Sequence, residues 1–237
     1  MQKATFNHLM RKFGTCFSDQ LGINLKETNK AEIFKWFLAS ILFGARISET
    51  IAMNTYKQFL KDGLVNANQI LKTGWDGLVN SLDNGGYVRY DFKTADKLLE
   101  VMKNLKQNYK GNLNKLHEQA ADSKDLEKKL KELGKGIGDV TVNIFLRELR
   151  EIWEKANPIP QDLVTIAAYN LGFIKQVEKT FDNRVQILNE LQNFWNKNKI
   201  KNKRFADFEV ALLRVGKDFC RKNKCAKCEL AKYCVRK

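Results

Sequence analysis

Residues 130–149 read LKELGKGIGDVTVNIFLREL, two apolar stripes of helical period separated by a glycine-rich interruption. On the N-terminal side Leu126, Leu130 and Leu133 fall on one helical face, with Asp122 or Ser123 placed to cap the helix. On the C-terminal side Val142, Phe145, Leu146, Leu149, Ile152 and Trp153 recur at three- and four-residue spacing, which predicts one long amphipathic helix. Between them Gly136-Ile137-Gly138 supplies a tight turn where the backbone needs positive φ or close approach. Such a turn presents backbone N–H groups at the start of the second helix and can hold a DNA phosphate without reading sequence. An ordinary helical hairpin with a glycine C-cap has the same letters.

Working outward, the same period recurs along the chain. The two prolines, Pro158 and Pro160, stand together, so the rest of the sequence is free of the strongest helix breaker. Residues 31–43, AEIFKWFLASILF, are apolar nearly all round and predict a buried central helix in which Trp36 is a core residue. Further helices are expected over 48–61, 66–71, 93–109 and 112–119, and no run alternates cleanly enough for a strand. The expected class is all-α.

Forty-two Lys and Arg against 27 Asp and Glu give a formal charge of +15 and a pI near 9.6. That balance points to a polyanion such as nucleic acid, a merely soluble basic protein being the plain alternative. Residues 1–17 lack the apolar core and cleavage site of a secretory signal, and no later run reaches membrane-spanning length. The expectation is therefore a reducing cytoplasm, where cysteines are thiols or metal ligands. Four of the five fall in CRKNKCAKCELAKYC, at 220, 225, 228 and 234. Their thiolates suit an iron–sulfur cluster or tetrahedral zinc equally. Cys16 stands apart and reads as a small buried hydrophobe.

GIGDVTVNIFL resembles the helix–hairpin–helix of the DNA glycosylase superfamily that includes endonuclease III, whose motif runs G-V/I-G-x-K-T-A-N. The match holds at Gly136, Ile137, Gly138, Thr141 and Asn143 and fails at Val140, where the bifunctional enzymes carry their catalytic lysine. Residues 37–60, FLASILFGARISETIAMNTYKQFL, are similar to the family's first barrel helices. Residues 82–105, LDNGGYVRYDFKTADKLLEVMKNL, are similar to the loop and helix that enter the minor groove. PIPQDL resembles the proline-flanked loop that delivers a catalytic aspartate, here Asp162, and VGKDFC sets Gly216 four residues before the first cluster cysteine. The family's C-x6-C-x2-C-x5-C becomes C-x4-C-x2-C-x5-C here.

The resemblance implies a six-helix barrel over 32–156 and a cluster domain built from 1–31 and 157–237, with a DNA-binding cleft between them. It implies a monomer that acts on double-stranded DNA containing a modified or mismatched base. A [4Fe–4S] cluster would sit on Cys220, Cys225, Cys228 and Cys234, zinc being the alternative. Its anionic charge would be offset by Arg221, Lys222, Lys224, Lys227 and Lys232, with Lys222 and Lys224 also facing phosphate. Gly136, Ile137, Gly138 and Thr141 would contact DNA, Asn84 and Tyr87 would enter the minor groove, with Tyr87 or Tyr90 equally readable as core aromatics, and Arg46, with Ser48 and Glu49, would shape the base pocket or simply be polar surface.

Asp162 is read as an N-cap carboxylate that stabilises positive charge on the deoxyribose and activates water. Valine at 140 has no nucleophile, so the expected activity is base release without strand cleavage. A displaced amine, Lys93 or Lys135, would make the enzyme bifunctional instead. A noncatalytic DNA-binding protein with a zinc knuckle is the reading from another class. WNKNKIKNKRF, 195–205, is a basic DNA-facing loop or a solvated connection between helices.

Overall fold

The structure, a computed structural model, describes residues 2–26, 28–176 and 181–235. It is helical throughout, with no strand among the described residues. No helix there is long and apolar enough to cross a membrane. Contacts divide the chain into two units, one formed by Leu21–Asn157 and the other by Met1–Gln20 with Pro158–Lys237.

Within Leu21–Asn157 the helices are α3 (Lys30–Phe43), α4 (Glu49–Lys61), α5 (Ala67–Asn84), α6 (Asp91–Tyr109), α7 (Leu113–Gln119), α8 (Ser123–Lys131) and α9 (Asp139–Arg147). Each packs on the next, and α9 closes the circuit by packing back on α3. α3 is buried almost all round because its residues are apolar on every face. Trp36 lies wholly inside, and its indole Nε1 donates to the Phe145 carbonyl of α9 at 3.0 Å. The segment ahead of α3 belongs to the same unit: the Asn24 N–H donates to Glu32 Oε2 at 2.8 Å, and Asn114 Nδ2 donates to the Thr28 carbonyl at 2.9 Å.

Two elements depart from the sequence pattern. α5 runs on to Asn84 past the expected end at 71, with a break at Gly74, whose φ of 71° only glycine adopts readily. Its two interior glycines hide a helix whose second half buries Leu78, Val79 and Leu82. The apolar stripe from Val142 to Trp153 is likewise not one helix. α9 stops at Arg147, and the chain continues in turns, with the Trp153 N–H on the Leu149 carbonyl at 2.8 Å. Trp153 is held off the helical path by partners on α7: its Nε1 donates to Asn114 Oδ1 at 3.0 Å and its ring stacks on His117 at 4.8 Å.

The other unit contains α1 (Gln2–Phe13), α2 (Phe17–Gln20), α10 (Asp162–Asn170), α11 (Phe181–Asn198) and α12 (Phe205–Val215). Every residue of α12 is buried, and the rings of Phe6, Phe173, Phe194 and Phe208 pack edge to face or tilted around it. Its buried charges are paired. Asp207 accepts from the Cys16 and Arg204 N–H groups at 3.0 and 2.8 Å. Arg214 donates to the Phe13 and Thr15 carbonyls at 2.9 and 2.7 Å and lies over the Phe17 ring. These bonds join the N-terminal segment to α12, and Cys16 is buried as expected.

Candidate functional site

The turn between α8 and α9 is built on α6. The Lys135 N–H donates to Glu100 Oε2 at 3.1 Å, and Asn104 Nδ2 donates to the Leu133 carbonyl at 2.9 Å. Gly136 has φ 87°, so a side chain there would be strained whatever the space. Gly138 differs: its φ is −102° and a Cβ would meet no protein atom within 4 Å. Neither backbone strain nor packing requires glycine at 138, and its lack of a side chain leaves the start of α9 open.

Gly138 provides no side-chain cap, and the first α9 N–H to find an intrahelical carbonyl is that of Val142, on Gly138 at 3.1 Å. The N–H groups ahead of it have no intrahelical carbonyl, as at any helix start, where such groups attract anions. Asp139 in this first turn would oppose an anion, and Lys131 pairs with it. Val140 is 53 % exposed, so the position that carries the resemblance's lysine is on the surface.

Two residues expected on DNA from this motif are interior. Ile137 is buried, with its N–H on the Gly134 carbonyl. Thr141 is buried where α9 meets the end of α3, so close that a Cβ on Gly44 would collide with its hydroxyl. Their side chains pack the hairpin. Lys97 of α6, which the sequence reading passed over, lies against Gly136, and its burial pulls the ammonium below the ordinary lysine range.

The loop after α5 shows the same split. Tyr87, expected in the minor groove, is 1 % exposed, and its hydroxyl accepts from Thr94 Oγ1 at 3.2 Å. It is a core aromatic. Asn84 and Arg89 are exposed, and Val88 is 65 % exposed. Asp83 and Asp91 hydrogen-bond to each other at the base of this loop, and loss of hydration, then the Asp91 charge and that bond, push the exposed Asp83 carboxyl up. Arg46 is exposed, while Ser48 caps α4 by accepting from the Ile51 N–H at 3.2 Å.

Asp162 opens α10 as its first residue; the N-cap is Gln161, whose backbone is extended and whose side chain makes no capping bond. The expected capping role is thus not used, and the Asp162 side chain stands 68 % exposed with Arg184 Nη2 of α11 at 2.7 Å from Oδ1. The start of α10 is fixed from behind by Gly216, where a Cβ would lie 1.9 Å from the Leu163 carbonyl oxygen.

Gly216 ends α12 and opens a wide turn, the Arg221 N–H reaching the Gly216 carbonyl at 2.9 Å, that leads to Cys220. The cysteine loop docks on α10 and α1. The Asn170 side chain hydrogen-bonds the Cys220 thiol, and its carbonyl accepts from the Val235 N–H at 2.8 Å. Glu229 pairs with Lys12 at 2.9 Å, a bond that holds its carboxyl below the usual range. Burial, followed by the charges of the other three cysteines, raises the Cys220 thiol against the Asn170 bond. Burial, then Cys225 and Cys234, likewise raise Cys228. Cys220 and Cys228 therefore each lie within electrostatic reach of the other three thiols.

Among the described residues one trio of possible ligands has its atoms within 4.8 Å of one another, Cys16, Asp19 and Asp207, and it is already served by Arg204 and Lys203. No three C-terminal thiols approach that closely, whereas Zn–S bonds of about 2.3 Å in a tetrahedron need sulfurs about 3.8 Å apart. Lys222 pairs with Asp218 at 3.5 Å and Lys224 is exposed. The basic run 195–205 is divided: Lys197, Lys199 and Lys201 are exposed, while Lys203 and Arg204 are half-buried against Asp207 and Asp19. No protein-family model and no curated protein matches this sequence.

Proposed function

We propose that this chain is a DNA N-glycosylase of base-excision repair that flips a modified or mismatched base out of the duplex and hydrolyses its N-glycosidic bond. The observation that carries it is Asp162, an exposed carboxylate on the first turn of a helix that does not use it as a cap. It stabilises the positive charge that grows on the deoxyribose as the base leaves, and orients or deprotonates the attacking water. The open start of α9 beyond Gly136 takes a phosphate, and Asn84, Val88 and Arg46 are exposed on the loops that resemble the family's DNA contacts. Valine at 140 leaves no amine for a Schiff base.

Cys220, Cys225, Cys228 and Cys234 would hold the [4Fe–4S] cluster, whose part is to anchor the loop and its basic residues rather than to react. No three of these thiols lie within 4.8 Å of one another, a spacing that a multi-iron cage spans and a single zinc ion does not. Aerobically purified protein should be brown and contain iron and sulfide; a colourless, zinc-loaded preparation would move the assignment to the zinc knuckle. The pairing of Asp162 with Arg184 is what favours the noncatalytic reading, since it gives the carboxylate a structural partner.

A panel of duplexes, each with one altered base, separates the readings. Base release that needs alkali to cut the strand, with no adduct on borohydride treatment, is the expected result. Cutting without alkali or a trapped adduct would indicate a bifunctional enzyme, with Lys97 joining Lys93 and Lys135 as the amine to replace; no release from any duplex would leave the noncatalytic protein.

A further inference from the structure

The ion pair between Asp162 and Arg184 has a consequence for how DNA engages this chain. The carboxylate of Asp162 lies 68 % open to solvent, and the Arg184 guanidinium, on α11, sits 2.7 Å from it. A carboxylate that acts on a deoxyribose must approach the sugar closely, and that sugar carries a phosphate on each side. A guanidinium in contact with the carboxylate is then within reach of one of those phosphates. Arginine binds phosphate through the same forked donors with which it binds carboxylate. An exposed carboxylate pair is weak and screened, so the exchange has little to overcome.

We infer that Arg184 is an exchangeable latch: it holds Asp162 in the free protein and passes to a DNA phosphate beside the target nucleotide when DNA binds, leaving the carboxylate to the sugar. The inference rests on the reading of Asp162 as the catalytic group. Arg184 is a positioning residue, and its transfer couples DNA binding to release of the carboxylate.

The test is a double-mutant cycle of binding, read without turnover, on the full chain. Wild type, Asp162→Asn, Arg184→Gln and the double variant are titrated with a duplex carrying one tetrahydrofuran abasic analogue, across a range of salt. Asp162→Asn frees Arg184 and should tighten binding by about threefold or more, a gain that should vanish when residue 184 is Gln. The slope of log affinity against log salt should be shallower by about 0.9 in the double variant than in Asp162→Asn, the loss of one phosphate contact. Arg184→Lys should restore part of the slope.

An equal gain from Asp162→Asn in both backgrounds, or a slope unchanged by Arg184→Gln, would overturn the latch. Neither result bears on catalysis, which the base-release assay of Asp162→Asn reads separately: retained release would remove Asp162 from the chemistry and leave the binding cycle as measured. A wild-type chain that does not bind the duplex overturns the latch and the glycosylase reading together.

Discussion

Replacing Asp162 by asparagine is expected to slow base release from a lesion-bearing duplex by about 10³-fold, the combined scale of a lost general base and a lost electrostatic stabiliser. The chain should remain folded. Asp162 is the first residue of α10 and not its cap, so what folding loses is a favourable charge near a helix start and an exposed ion pair. Each is worth roughly 1 kcal/mol or less, whereas a 10³-fold rate loss corresponds to about 4 kcal/mol. Single-turnover rates with a duplex on which the chain acts, set beside thermal unfolding of the same preparation, distinguish the two. Activity within tenfold of wild type would remove Asp162 from the role.

The second large effect is expected at Gly216. It ends α12 with an ordinary helical φ of −59°, so alanine there should on local grounds be favourable by roughly 1 kcal/mol. Packing decides otherwise. A methyl group would lie 1.9 Å from the Leu163 carbonyl oxygen and 2.7 Å from its carbon, both backbone atoms that cannot rotate away. α10 must retreat, at a cost on the order of 1–3 kcal/mol or more, which lowers Tm by roughly 3–10 °C for a chain of this size. The displaced segment begins with Asp162, so base release should fall with stability. A Gly216→Ala protein with unchanged Tm would contradict this account of why α10 and the cysteine turn meet here.

These two sites show how unevenly the candidate site can be read from sequence. Gly216 and Asp162 stand out by spacing, yet their mutual dependence, a glycine behind the helix that presents the aspartate, is a contact between segments more than fifty residues apart. Asn170, which bonds the Cys220 thiol and the last turn of the cysteine loop, has no local signature at all. The orientation of Tyr87 and Thr141 is not legible for a related reason. Residue type places an aromatic or a hydroxyl in segments that resemble DNA-contacting ones, but which way each points is set by burial against Thr94 and Gly44, and both turn inward.

What the amino-acid order determines by itself is what depends on near neighbours. Helical period, the scarcity of proline, the all-round apolarity of α3 and the cap at Asp122 yield the helical class and most helix starts. The positive φ at Gly136 belongs to the same set, because a turn between two helices requires it within a few residues. Tertiary structure alone decides where α9 ends, because Asn114 and His117 hold Trp153 away from a continuing helix. It also decides the partner of Asp162, twenty-two residues further along the chain. In both cases the local preferences are worth tenths of a kcal/mol, and contacts formed only on folding outweigh them.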